Sequence, residues 1–109
     1  MIRVLYFRGC PNHEPAVQMA REVASRTMPR VEVEAVEITA PRQAVDLSFC
    51  GSPTIQVDGV DIEPGIQDAK PIELACRVYQ TDNGILGLPP IEWLEEALRA
   101  KEISVSTEA

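Results

Sequence analysis

A chain of 109 residues with 45% hydrophobic and 25% charged residues has the length and balance of one compact globular domain with a modest core. Its formal charge of -7 and its pI of about 4.6 argue against nucleic acid and against an anionic membrane surface, both of which need basic patches. No apolar run reaches membrane-spanning length and no signal peptide opens the chain, so the expected compartment is the cytoplasm.

The first predicted element is a strand over Ile2 to Phe7, apolar except for Arg3, which suits the interior of a sheet. A helix follows, with Val17, Ala20, Val23, Ala24 and Met28 on one side and Gln18, Arg21, Glu22, Ser25 and Arg26 on the other. With Asn12 as its cap, the preferred start, Pro15 falls in the first turn, where a missing N–H costs nothing, and a tight turn at Cys10-Pro11 precedes it; with Cys10 as the cap, Pro15 would enter the second turn and kink the helix. Met28-Pro29 ends this helix.

Val31 to Ala35 alternates apolar and charged residues, the pattern of a strand near an edge with one wet face, and its phase changes at Val36, as a bulge or twist would cause. Two strands separated by a helix give a parallel pair with a right-handed crossover. Pro41 to Leu47 reads as a short helix with Thr39 as its cap. Thr54-Ile55-Gln56-Val57, Asp58-Gly59 and Val60-Asp61-Ile62 spell a hairpin, since Asp-Gly supplies the positive φ angles of a tight turn. Glu63 to Pro71 reads as an excursion and Ala75 to Tyr79 as a short strand, turned at Asp82-Asn83-Gly84. The last helix is expected over Ile91 to Lys101, with Ile91, Leu94, Ala97 and Leu98 as its apolar stripe, and Ser104 to Ala109 as a disordered tail behind a domain of residues 1–103.

Cys10 is the leading candidate for chemistry. Arg8-Gly9-Cys10-Pro11-Asn12-His13 joins the first strand to the first helix, so the thiol sits where the helix dipole and free N–H groups favour a thiolate. The bland alternative is a buried turn cysteine. His13, the sole histidine, stands where a Cys-x-x-Cys motif would carry its second thiol. It could support the Cys10 thiolate, but a solvent-facing residue of the first turn is the preferred reading. Three irregularly spaced cysteines do not form a disulfide framework, and the lack of paired Cys/His spacing argues against structural zinc. Glu32, Glu34 and Glu37 read as a solvated strand face, and Gly84 to Gly87 lacks the Lys-Ser/Thr of a phosphate loop.

The order βαβ, short α, ββ, excursion, α, with Gly9-Cys10-Pro11 after the first strand and Ser52-Pro53-Thr54 opening the third, resembles the thioredoxin-like proteins over most of the chain. Tyr6 to Asn12, Gly51 to Gly59 and Ala75-Cys76-Arg77-Val78-Tyr79 are similar to a family of small bacterial thioredoxin-like proteins. Some of these are labelled alkylmercury-lyase-like, and some carry selenocysteine at the position of Cys10. Cys50 stands where those relatives more often carry Arg or Leu. The resemblance implies an α/β fold, with a mixed sheet of about four strands flanked by helices.

The resemblance also implies a cis peptide at Ser52-Pro53. Pro11, Ser52 and Pro53 would then contact substrate, with the Ser52 N–H and C=O docking an extended segment beside Cys10. The implied function is a thiol–disulfide oxidoreductase that needs no cofactor and acts on a protein or small-molecule thiol or disulfide. Cys50 and Cys76 compete as the thiol that resolves Cys10, each being equally readable as a small hydrophobe, and glutathione could do the same from solution. Two other functions stay open: a non-catalytic thioredoxin-like binding module, since position 13 lacks a cysteine, and a thiolate site for soft metals or organomercurials.

Overall fold

The computed structural model describes residues 1–64 and 73–108. Four strands form a mixed sheet: β1 (Ile2–Tyr6), β2 (Val33–Glu37), and then, after the short β3 (Cys50–Ser52), β4 (Thr54–Val57) and β5 (Val60–Asp61), in the order β2-β1-β4-β5. β1 runs parallel to β2 and antiparallel to β4, and β4 turns back antiparallel into β5. The apolar Ile2 to Phe7 run therefore supplies an interior strand and the charged alternating run an edge strand, as their patterns predict.

β2 begins two residues later than expected and needs no bulge. Its register against β1 is unbroken from Ile2↔Val33 to Tyr6↔Glu37. Val33 packs into one core cluster and Val36 into the other, because positions three apart in a strand face opposite sides. Glu34 and Glu37 stay exposed, and Glu34 Oε2 lies 3.8 Å from Arg3 Nε.

Helix α1 (His13–Thr27) begins after Asn12 and places Pro15 in its first turn. It buries Ala16, Ala20, Val23 and Ala24 against Ile2, Val4, Ile55 and Val57 of the sheet. Helix α3 (Ile91–Glu108) packs on the same face through Leu94 and Leu98. It runs past the expected end at Lys101 and takes in the backbone of residues expected to form the tail. Ile91, assigned to the buried stripe, is exposed. The opposite face is covered by α2 (Pro41–Asp46), with Leu5, Ile38, Ala44 and Phe49 forming a second core cluster.

Ala40, not Thr39, caps α2. Ala40 has extended backbone angles, and Pro41 takes the first helical position. The Thr39 N–H and hydroxyl both donate to Gln43 Oε1, at 2.9 and 3.3 Å, the back-reaching arm of a capping box displaced by one residue. The predicted hairpin forms with Asp58 and Gly59 at φ values of 51° and 85°.

The segment expected as one strand over Ala75 to Tyr79 is two. β6 (Glu73–Cys76) pairs in parallel with β3, and β7 (Tyr79–Thr81) pairs with β8 (Gly84–Leu86) across the expected turn at Asp82-Asn83-Gly84. Arg77 and Val78 lie at the break between them. Most of the predicted excursion, Glu63 to Pro71, lies outside the described residues. Among the described residues, no helix is long and apolar enough to cross a membrane.

Candidate functional site

β1 ends at Tyr6, and the chain turns through Arg8 and Gly9 to reach Cys10. The Cys10 N–H donates to the Phe7 carbonyl at 3.2 Å, closing a four-residue turn. Gly9 occupies it with φ 88°, a conformation that costs an L side chain energy. Pro11, exposed, and Asn12 then lead into α1, and the His13 N–H donates to the Cys10 carbonyl at 3.3 Å. The thiol thus precedes the first helical residue by three positions. Its residue retains 8% of its surface exposure. Asn12 caps α1 without a side-chain hydrogen bond, and its side chain lies in the space that a β-carbon at Gly87 would occupy.

His13 is not the solvent-facing residue preferred from sequence. It is half-buried, with its ring stacked on Tyr6 at a centroid separation of 3.6 Å and an interplanar angle of 7°. Tyr6 is legible as a strand residue and as the start of the resemblance segment Tyr6 to Asn12, with no role of its own. It lies just before the turn that carries Cys10, so the His13–Tyr6 stack sits on one flank of that turn.

The second landmark forms as predicted: the Ser52-Pro53 peptide is cis, and both residues are buried. Phe7 joins the two landmarks. Its carbonyl receives the Cys10 N–H, and its N–H donates to Ser52 Oγ at 3.3 Å. One residue's main chain therefore holds the cysteine turn on one side and the proline loop on the other.

The loop is clamped from behind by residues the sequence reading did not single out for a role. Arg77, 3% exposed, donates its N–H to the Ser52 carbonyl at 2.9 Å. Its guanidinium donates to Thr54 Oγ1 at 3.1 Å, to both carboxylate oxygens of Asp61 at 2.7 and 3.1 Å, and to Glu63 Oε1 at 3.0 Å. Tyr79 donates its hydroxyl to the Pro53 carbonyl at 2.5 Å, and the Arg77 guanidinium carbon lies 4.4 Å from the centre of its ring. Thr54 donates to the Gly51 carbonyl at 2.6 Å.

Buried charge needs this degree of pairing. Burial works to lower the Arg77 pKa, but the Asp61 hydrogen bonds and the neighbouring negative charges outweigh it and hold the guanidinium above its ordinary range. Burial, aided by Asp61 and Glu63 and opposed by Arg77, pushes the Tyr79 phenol up as well. The usable signal was an arginine set two residues before a tyrosine in an apolar segment, with Asp61 and Glu63 ending the preceding hairpin.

Gly51 fits the same clamp. At φ 111°, a β-carbon there would lie 2.9 Å from Arg77 Cβ and 3.2 Å from the Ala75 carbonyl oxygen. Only glycine lets β6 and Arg77 approach this closely.

The structure brings the other two cysteines to β3 from different directions. Cys76, exposed, pairs with Ser52 in the β3–β6 register, whereas Cys50, half-buried, pairs with Glu73 and points its Sγ to the Ser48 carbonyl at 3.5 Å. No disulfide joins any two of Cys10, Cys50 and Cys76. Among the described residues, no group of three or more His, Cys, Asp or Glu side chains is placed to hold a metal ion. No protein-family model matches the chain, and no curated protein or solved structure matches it either.

Proposed function

We propose that the chain is a thioredoxin-like thiol–disulfide oxidoreductase of the cytoplasm, with Cys10 as the nucleophile and the Ser52-Pro53 loop as the wall its substrate meets. The observation that carries this reading is the shared main chain of Phe7, which links the cysteine turn to a cis-proline loop. The mixed β2-β1-β4-β5 sheet, with α1 and α3 on one face and α2 on the other, supports this reading at the level of an α/β fold. A thiolate at position 10 would attack a disulfide sulfur to form a mixed disulfide, which a second thiol then resolves. Cys76 and Cys50 remain candidates for that thiol beside glutathione from solution.

The test is the rate of alkylation by iodoacetamide as a function of pH. Cys10 should react faster than a free cysteine at neutral pH, and Cys10→Ser should lose all disulfide turnover. A Cys10 no faster than free cysteine, or turnover that survives the substitution, would remove the proposal.

One observation favours a second reading, that of a non-catalytic binding module. Position 13 carries an imidazole stacked on Tyr6 instead of a thiol, so the usual dithiol couple is missing. Robust disulfide reduction that depends on Cys10 would exclude it.

A further inference from the structure

Anything that reaches Cys10 from the side of the proline loop meets a main chain already engaged. The Gly51 carbonyl accepts from the Thr54 hydroxyl, the Ser52 carbonyl from the Arg77 N–H, and the Pro53 carbonyl from the Tyr79 hydroxyl. β6 occupies the edge of β3 over the same residues, from Cys50↔Glu73 to Ser52↔Cys76.

An extended polypeptide docks on a sheet by adding a strand to an open edge, where main-chain hydrogen bonds supply its affinity. Here the chain has filled that edge itself. The filling strand leads directly into Arg77, which two carboxylates hold in the interior. An incoming strand would have to displace β6 and draw a buried, hydrogen-bonded cation away from Asp61 and Glu63. Cys10 offers 8% of its surface, so the approach to it is also narrow.

Resting on the reading of Cys10 as a reactive thiol, we infer that the site takes low-molecular-weight disulfides and rejects disulfides carried by extended polypeptides. The docking role implied for the Ser52 N–H and C=O then belongs to the chain's own β6. In the cycle, the Cys10 thiolate attacks one sulfur of a small disulfide R–S–S–R. The Cys10–S–S–R bond forms as the original S–S bond breaks, and RS⁻ leaves with the electron pair. A second small thiolate R′S⁻ then attacks the sulfur of the bound R group, forming R–S–S–R′ and releasing the Cys10 thiolate. The protein is unchanged over the cycle, and the free thiol is the reductant.

The experiment compares two substrates with one reductant. The full-length chain is assayed for reduction of hydroxyethyl disulfide and of insulin, both by glutathione, each rate divided by that of glutathione alone. The small disulfide should be accelerated about tenfold or more beyond insulin, and Cys10→Ser should abolish the acceleration. Acceleration of insulin equal to or above that of hydroxyethyl disulfide, still lost in Cys10→Ser, overturns the substrate class and leaves the Cys10 reading standing. No acceleration of either substrate, or acceleration that persists in Cys10→Ser, overturns the Cys10 reading and this inference with it. Hydrogen exchange at the Arg77 amide gives a second readout. Its protection should be unchanged by excess insulin under non-reducing conditions, and loss of protection would show that an incoming chain displaces β6.

Discussion

The Cys10 turn and the Pro53 loop meet at Phe7, yet they are built in opposite ways. The turn is closed by neighbours in sequence: Phe7 bonds Cys10 and Cys10 bonds His13. The loop depends on residues far along the chain, since Arg77 and Tyr79 lie 25 and 26 residues beyond the Ser52 and Pro53 carbonyls they serve. The short-range turn places Cys10 by local hydrogen bonds alone, with 8% of its surface exposed. The long-range clamp fixes the Ser52 and Pro53 carbonyls, and Thr54, itself bonded to Arg77, holds the Gly51 carbonyl from within the loop. The local turn and the long-range clamp thus belong to different stretches of chain, joined through one residue.

The contrast is open to breakage by mutation, beginning with Arg77. Arg77→Ala takes from the mostly buried Asp61 the cation it is paired with, removes a bond to Glu63 and leaves a cavity, and should cost about 3–5 kcal/mol in urea unfolding. A loss below about 1 kcal/mol would mean that the ion pairs do not hold the loop.

The two glycines sharpen the comparison, because both adopt positive φ and only one is crowded. Gly51→Ala adds strain and a clash with Arg77 Cβ and should cost about 2–4 kcal/mol, whereas Gly9→Ala, with nothing within 4 Å of the added carbon, should cost only about 1–2 kcal/mol. Equal losses at the two sites would erase the distinction between clamp and turn.

Between them lies Tyr79→Phe, which leaves the Pro53 carbonyl without its donor and should cost about 1–3 kcal/mol. It also carries a pH signature. The folded protein holds the Tyr79 proton more tightly than the unfolded chain, in which tyrosine ionises near its ordinary value of about 10. Tyr79 therefore contributes fully below that pH. Its contribution falls as the pH rises through the folded value, because the unfolded chain then binds fewer protons. Unfolding curves from pH 9 to 11 should show a fall in wild type that is shallower in Tyr79→Phe, and identical slopes would count against the burial of this phenol.

The same division governs what could be read in advance. The start of α1 after Asn12 and the Asp58-Gly59 hairpin are encoded within a few residues by a cap, a turn former or an apolar period, whereas the cis peptide at Ser52-Pro53 is implied by the family resemblance alone. The second core cluster under α2 had a weaker trace, and its cap was misplaced from Ala40 to Thr39, since a side chain at the preceding position can imitate a cap. Arg77 and Tyr79 are legible as members of a short strand and of the resemblance segment Ala75 to Tyr79, with no role of their own. Their function comes from carbonyls on a loop whose position tertiary packing decides, and no local pattern announces such a partner. The His13–Tyr6 stack has no local signature for a related reason: it spans the turn between a strand and a helix, and neither period contains both residues.

On the Phe7 side the connection is made entirely of main chain, and it ends on the Ser52 hydroxyl. The aromatic ring of Phe7 packs beside Leu5, Ile38, Ala44 and Phe49, whereas the link from Cys10 to Ser52 uses only the Phe7 N–H and C=O. A side-chain scan at position 7 would therefore register lost packing and pass over the coupling, because every residue except proline supplies the same two groups. Proline at position 7, or an ester in place of that amide, is the substitution that reaches the joint itself.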